Sequence, residues 1–167
     1  VPAVVDLVAE HSPETFVLAA GGIADGRGVA AALALGADGV LIGTRFWAAT
    51  KALVSPSAHE RAIRASGEDT IRTRVYDLVR QLDWPAHYDE RALVNTFLQS
   101  WHGDDSRLLA KLPEATAAFE AGLAAADFDI AHILIGEAVG LIHDVVPADA
   151  IVAQMVHDAT RILNRGS

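Results

Sequence analysis

Two short, wholly apolar runs, each closed by a glycine corner and joined by one helix-length segment, constrain this chain more than any other feature. Phe16-Val17-Leu18-Ala19-Ala20 has β-formers at its front and no polar residue, and Gly21-Gly22 ends it. Such a run reads as a strand buried on both faces, the habit of parallel sheets. Asp25 can cap a helix beginning near Gly26; Val29 to Leu35 continue it, and Gly36 supplies the residue past its end. Asp38-Gly39 then turns the chain into a second strand, Val40-Leu41-Ile42, which Gly43-Thr44 stops. This is a strand–helix–strand unit with short loops, hence a right-handed parallel crossover and an α/β layer fold. Two strands do not complete such a domain, so partner strands are expected on further chain or on another molecule. The opening Val1-Pro2-Ala3, without initiator Met or a basic then apolar leader, fits the C-terminal part of a longer chain.

Beyond Thr50 the texture changes, and a boundary is expected near residue 55, with a mostly helical α+β subdomain over residues 56–167. Ser57 to Ser66 reads as a short helix and Thr70 to Val75 as an edge strand. Glu90 to Trp101 reads as one helix with Leu93, Val94, Phe97 and Leu98 inward. A long helix is expected from about Ser106 to Ala126 with a kink or junction at Pro113, and Pro147 opens a last amphipathic helix to about Leu163. Ahead of the first strand, residues 3–10 put Val4, Leu7 and Val8 on one helical face.

Composition removes several function classes. The 167 residues are 51% hydrophobic and 21% charged, an ordinary globular balance. Thirteen Lys and Arg against 22 Asp and Glu give a net charge of −9, which argues against nucleic acid or an anionic membrane as partner. Cysteine is absent, so disulfide scaffolds, thiolate nucleophiles and thiolate metal sites are excluded. No apolar run approaches the ~20 residues needed to span a bilayer.

The glycine corners carry the chemistry. Gly21-Gly22 sits where a buried strand hands over to a helix, and backbone N–H groups there can meet a phosphate closely. Gly43-Thr44 occupies the same place after the next strand and adds a hydroxyl. A single such pair is more often a tight turn; two at adjacent strand ends favour a phosphate cup, as in the loops after the last strands of (β/α)₈ barrels. Gly26-x-Gly28-x-x-Ala31 fits a loose dinucleotide pattern, but Gly21 to Asp25 intervene after the strand and no ribose-binding acid follows the second strand. No G-x-x-x-x-G-K-[ST] loop is present either.

Val17-Leu18-Ala19-Ala20-Gly21-Gly22-Ile23-Ala24-Asp25-Gly26-Arg27-Gly28, with Ala34-Leu35-Gly36-Ala37-Asp38-Gly39-Val40 and Ile42-Gly43-Thr44-Arg45-Phe46, closely resembles the nitronate monooxygenases. The likeness continues to the segment GEAVGLIHDVVP that ends at Pro147, and Trp101-His102-Gly103 suits the family's smaller second domain. The resemblance implies an FMN-type (β/α)₈ TIM barrel, here its C-terminal strands over residues 1–55, followed by the helical subdomain. It implies FMN as cofactor, with Ala20, Gly21, Gly22, Gly43 and Thr44 holding the FMN phosphate. It also implies oxidation of an alkyl nitronate by O₂ to a carbonyl compound and nitrite. A small-molecule substrate, a cytoplasmic location and no metal are expected. The Glu90–Trp101 and Ser106–Ala126 helices could serve a homo-oligomer interface, though packing over the barrel is the simpler use.

No histidine of this chain stands in a family motif, so the catalytic residue is unknown and the chain alone is expected to be inactive. Arg45, the nearest cation, could add charge to the phosphate site or pair with Asp38 or a surface acid. His143-Asp144 reads as a capping or solvated pair rather than a dyad, and His132, Glu137 and His143 lack the spacing of a helical zinc site. Glu137 falls near a place where family members often carry Gln. Two alternatives stand beside this reading: a related FMN barrel such as a flavin-containing enoyl-ACP reductase, and a non-catalytic helical interaction domain with a vestigial half-barrel.

Overall fold

The computed structural model describes residues 1–85 and 87–166. In chain order its elements are α1 (Pro2–His11), β1 (Leu18–Ala20), α2 (Gly26–Ala34), β2 (Gly39–Leu41), α3 (Thr44–Trp47) and α4 (Pro56–Ala62). They continue with β3 (Thr70–Thr73), α5 (Val75–Val79), β4 (Glu90–Leu93), α6 (Thr96–Trp101), α7 (Asp105–Ala110), α8 (Leu112–Ala124) and α9 (Ala148–Leu163). These form two compact units, one made of Val1–Leu53 and the chain from Ala138 onward, the other of Val54–Glu137.

In the first unit β1 and β2 pair in parallel, with Leu18 opposite Gly39, Ala19 opposite Val40 and Ala20 opposite Leu41. The intervening α2 starts where expected, because the Asp25 carboxylate accepts hydrogen bonds from the Arg27 and Gly28 amides at 2.9 and 3.1 Å. It ends at Gly36, whose φ of +91° and contact with Val5 leave no place for a side chain. The Asp38 carboxylate accepts from the Val17 amide at 2.7 Å and fixes the entry to β1. Ala19, Ala32 and Ala37 form a small core with Ile23 and Val40. Ala49, Ile151 and Met155 form another with Val29, Ile42, Phe46 and Val146.

Three features of this unit depart from the sequence-based expectation. Among the described residues the strands bury one face only, Leu18 being 58% and Leu41 64% exposed on the other, where the sequence reading expects further strands. Likewise α1 buries none of its residues, and Val4 and Leu7 face solvent. The final helix α9, grouped by sequence with the subdomain over 56–167, packs instead along α2 in the first unit. Gly26 makes that approach possible, because a Cβ there would lie 2.5 Å from Cβ of Asp158 and 2.8 Å from the Met155 carbonyl oxygen.

The second unit is built on an antiparallel pair, β3 with β4, in which Thr70 faces Leu93 and Thr73 faces Glu90. Residues 90–101 are therefore a strand and a helix rather than one helix. Asn95 separates them: its side-chain oxygen accepts from the Leu98 amide at 2.9 Å, capping α6, and from the Tyr76 hydroxyl at 3.0 Å. Its amide group donates to the carbonyls of Ala131 and Phe128. Tyr76 is fully buried at the centre of a core with Val75, Val79, Phe97, Leu98, Leu108 and Phe119. The expected junction near Pro113 is real: α7 ends before Lys111, and Pro113 lies in the first turn of α8.

Candidate functional site

The parallel register sets Ala20 beside Leu41, so the chain leaves both strands at the same end. Gly21-Gly22 and Gly43-Thr44 therefore follow neighbouring strands, and all five residues singled out from the sequence lie at one end of the strand pair. Gly21 and Gly22 have φ of +89° and +73°, a backbone state that side-chain-bearing residues rarely take. A Cβ at Gly21, Gly22 or Gly43 would meet no atom within 4 Å, so the corners border open space. Gly43 precedes α3, and its carbonyl accepts from the amides of Phe46 and Trp47 at 2.9 and 3.0 Å. Arg45 follows, 9% exposed, and of the two pairings open to it in the sequence it makes the one with a surface acid, Asp144, and not the one with Asp38. Its Nη2 donates to Oδ1 of Asp144 at 2.6 Å and its Nη1 to the Asp144 carbonyl at 3.0 Å. Arg45 and Asp144 line a cleft of about 380 Å³ that also takes in Asp25, His143 and Gln154.

The family model described as nitronate monooxygenase matches residues 1–158. The chain belongs to the nitronate monooxygenase family. The fungal protein named nitronate monooxygenase npaC, from Metarhizium robertsii, is 37% identical over 155 residues, which are 88% of this chain and 42% of that protein. Among solved structures, FabK from Thermotoga maritima is similar with a TM-score of 0.74 at 28% identity, over 95% of this chain and 49% of that one. Nitroalkane oxidase from Streptomyces ansochromogenes is similar with a TM-score of 0.72 at 25% identity, over 99% and 45%. The chain thus spans less than half the length of each. The fold class agrees with the sequence reading: α/β, the C-terminal strands of a (β/α)₈ barrel together with a mostly helical subdomain.

Elsewhere in this nitronate monooxygenase-family chain, His143 is exposed and its neighbour Asp144 is engaged by Arg45. Glu137 pairs with Arg91 at 2.9 Å. Among the described residues no group of three or more His, Asp or Glu could hold a metal ion, and no helix is long and apolar enough to cross a membrane.

Sequence reasoning missed a cluster of titratable groups in the second unit. Asp77 on α5 and Glu90 on β4 both line a cleft of about 350 Å³, with Arg80, Trp84 and Tyr88. Burial, then the Asp77 carboxylate, pushes Glu90 up to about 7, against which Arg80 at 3.7 Å only partly acts. Burial raises Asp77 as well. His132 stands 5.5 Å from the Tyr76 ring and 5.4 Å from Phe119, and burial followed by Arg80 lowers it to about 4. No local pattern announces this cluster, because it arises from the β3–β4 pairing and from the return of residues 130–134 over the aromatic core.

Proposed function

We propose that this chain forms the C-terminal portion of an FMN-dependent nitronate monooxygenase, an oxidoreductase converting alkyl nitronates and O₂ into carbonyl compounds and nitrite. The observation that carries the reading is the pairing of the two glycine corners at one end of β1 and β2. A phosphate dianion needs several N–H donors and room to approach them. Ala20, Gly21 and Gly22 supply backbone at one corner; Gly43 and Thr44 supply backbone and a hydroxyl at the other. The open space where side chains would stand at the three glycines fits such a group, and family membership supplies the chemistry to be expected of it. Bound FMN provides the redox capacity, while this chain binds and orients its phosphate end.

No histidine here stands in a family motif, so the catalytic group is assigned to other chain, and this chain alone is expected to be inactive. The partner of the site is a small-molecule substrate. A homo-oligomer and a cytoplasmic location belong to the same reading.

The test uses the parent protein. Purified, it should show a flavin visible spectrum, release FMN on denaturation, and produce nitrite from an alkyl nitronate under air. FMN without nitrite would transfer the assignment to a related FMN barrel such as an enoyl-ACP reductase. No flavin after reconstitution would reduce the paired corners to turns and overturn the proposal.

A further inference from the structure

Arg45 directly follows the Gly43-Thr44 corner, and the obvious role for a cation there is to meet the phosphate itself. Its surroundings speak for another use. A phosphate-binding arginine offers its planar fork to the anion. Here the fork is already turned to Asp144, with one N–H of Nη2 given to its carboxylate at 2.6 Å and one of Nη1 to its carbonyl at 3.0 Å. The Arg45 side chain is 11% exposed and that of Asp144 62%, so the pair is anchored on the arginine side and open on the other. Two residues further along the same segment, Val146 forms a parallel bridge to Ala49, and its carbonyl accepts from the Thr50 amide at 3.1 Å. Residues 144–146 are therefore pinned to residues 45–50 at two places, one of them one residue from the corner.

We infer that the Arg45–Asp144 pair is a positioning device for the FMN phosphate, holding the Gly43-Thr44 corner in register with Gly21-Gly22 without contacting the phosphate. This rests on the FMN reading above. A tether and a direct ligand make opposite forecasts for loss of Asp144. Removing the carboxylate frees the guanidinium, which strengthens binding if Arg45 is a ligand and weakens it if Arg45 is a tether. The two roles also differ toward riboflavin, which has no phosphate for the corner to hold.

The experiment titrates the apo form of the parent protein with FMN and with riboflavin, following quenching of flavin fluorescence. Its variants are Arg45→Met, Asp144→Ala and the double. Asp144→Ala changes a mostly exposed side chain and so keeps the fold even where Arg45→Met disturbs it. The expected result is a loss of about tenfold in FMN affinity for either single variant, the scale of one charge-assisted hydrogen bond. Riboflavin affinity should hold, and the double variant should be no weaker than Arg45→Met. FMN binding as tight as wild type, or tighter, in Asp144→Ala overturns the tether. Equal losses for both flavins overturn it too, since a general defect of the fold would then suffice. A wild-type protein that binds neither flavin brings down the function reading itself, a result distinct from wild-type binding with unaffected variants.

Discussion

Glu90 and His132 titrate in opposite senses, and their effects on stability oppose each other over one pH window. Glu90 is raised from 4.5 to about 7 in the folded chain. The native state then holds a proton that the unfolded state has lost, so stability falls as pH rises from about 4.5 to 7. His132 is lowered from 6.5 to about 4, the native state holds fewer protons, and stability rises with pH from about 4 to 6.5. Asp77, raised by burial, adds to the sense of Glu90. Each swing amounts to at most about 3 to 4 kcal/mol. Wild type should therefore show a shallow dependence between pH 4.5 and 6.5. Glu90→Gln should leave stability climbing with pH there, and His132→Leu should leave it falling. Urea midpoints at three pH values check this, and a Glu90→Gln profile as shallow as wild type's would refute it. At this scale the sequence shows what is local. Asp25 is recognisable as a cap because its partners lie two and three residues on. The corner glycines are recognisable because they end apolar runs. The partners of Arg45 and Glu90 are not recognisable, since 99 residues separate Arg45 from Asp144 and only strand pairing brings Glu90 to Asp77.

Among the elements, the contact of α2 with α9 depends most on a single residue. An added methyl at Gly26 would meet Asp158 and the backbone at Met155 and Ala159, the last 2.9 Å away. Helix backbone cannot swing aside as a side-chain tip can, so Gly26→Ala should destabilise the first unit by about 2 kcal/mol, the range of an overpacked core. Thermal unfolding measures this, and a melting temperature equal to wild type's would contradict the close packing. The elements themselves were legible to differing degrees. β1, α2 and β2 could be read because apolar runs bounded by glycine have few other uses. Residues 90–101 misled because Leu93, Val94, Phe97 and Leu98 recur with helical spacing, although Ala92 and Leu93 belong to a strand paired with β3. The corrective signal was present: Asn95, three residues before Leu98, is a helix start. The short α5 had no comparable mark.

For the whole molecule, the exposed apolar side of the strand pair decides behaviour in solution. Phe16, Leu18 and Leu41 are all more than half exposed, and a two-stranded parallel sheet offers unpaired edges beside them. The 167-residue chain expressed alone should self-associate with rising concentration, and Leu41→Glu should reduce that. Sedimentation velocity gives the answer, and a concentration-independent monomer would refute it. The arrangement of the first unit has a consequence in time as well. Its α2 is covered by a helix made more than a hundred residues later, while the core around Tyr76 is drawn from Val54–Glu137 alone. On the ribosome the core around Tyr76 can therefore form before α9 is made, although the glycine corners at residues 21–22 and 43–44 emerge ahead of both. They wait, with one layer of their support untranslated, until residues 138–166 have been made.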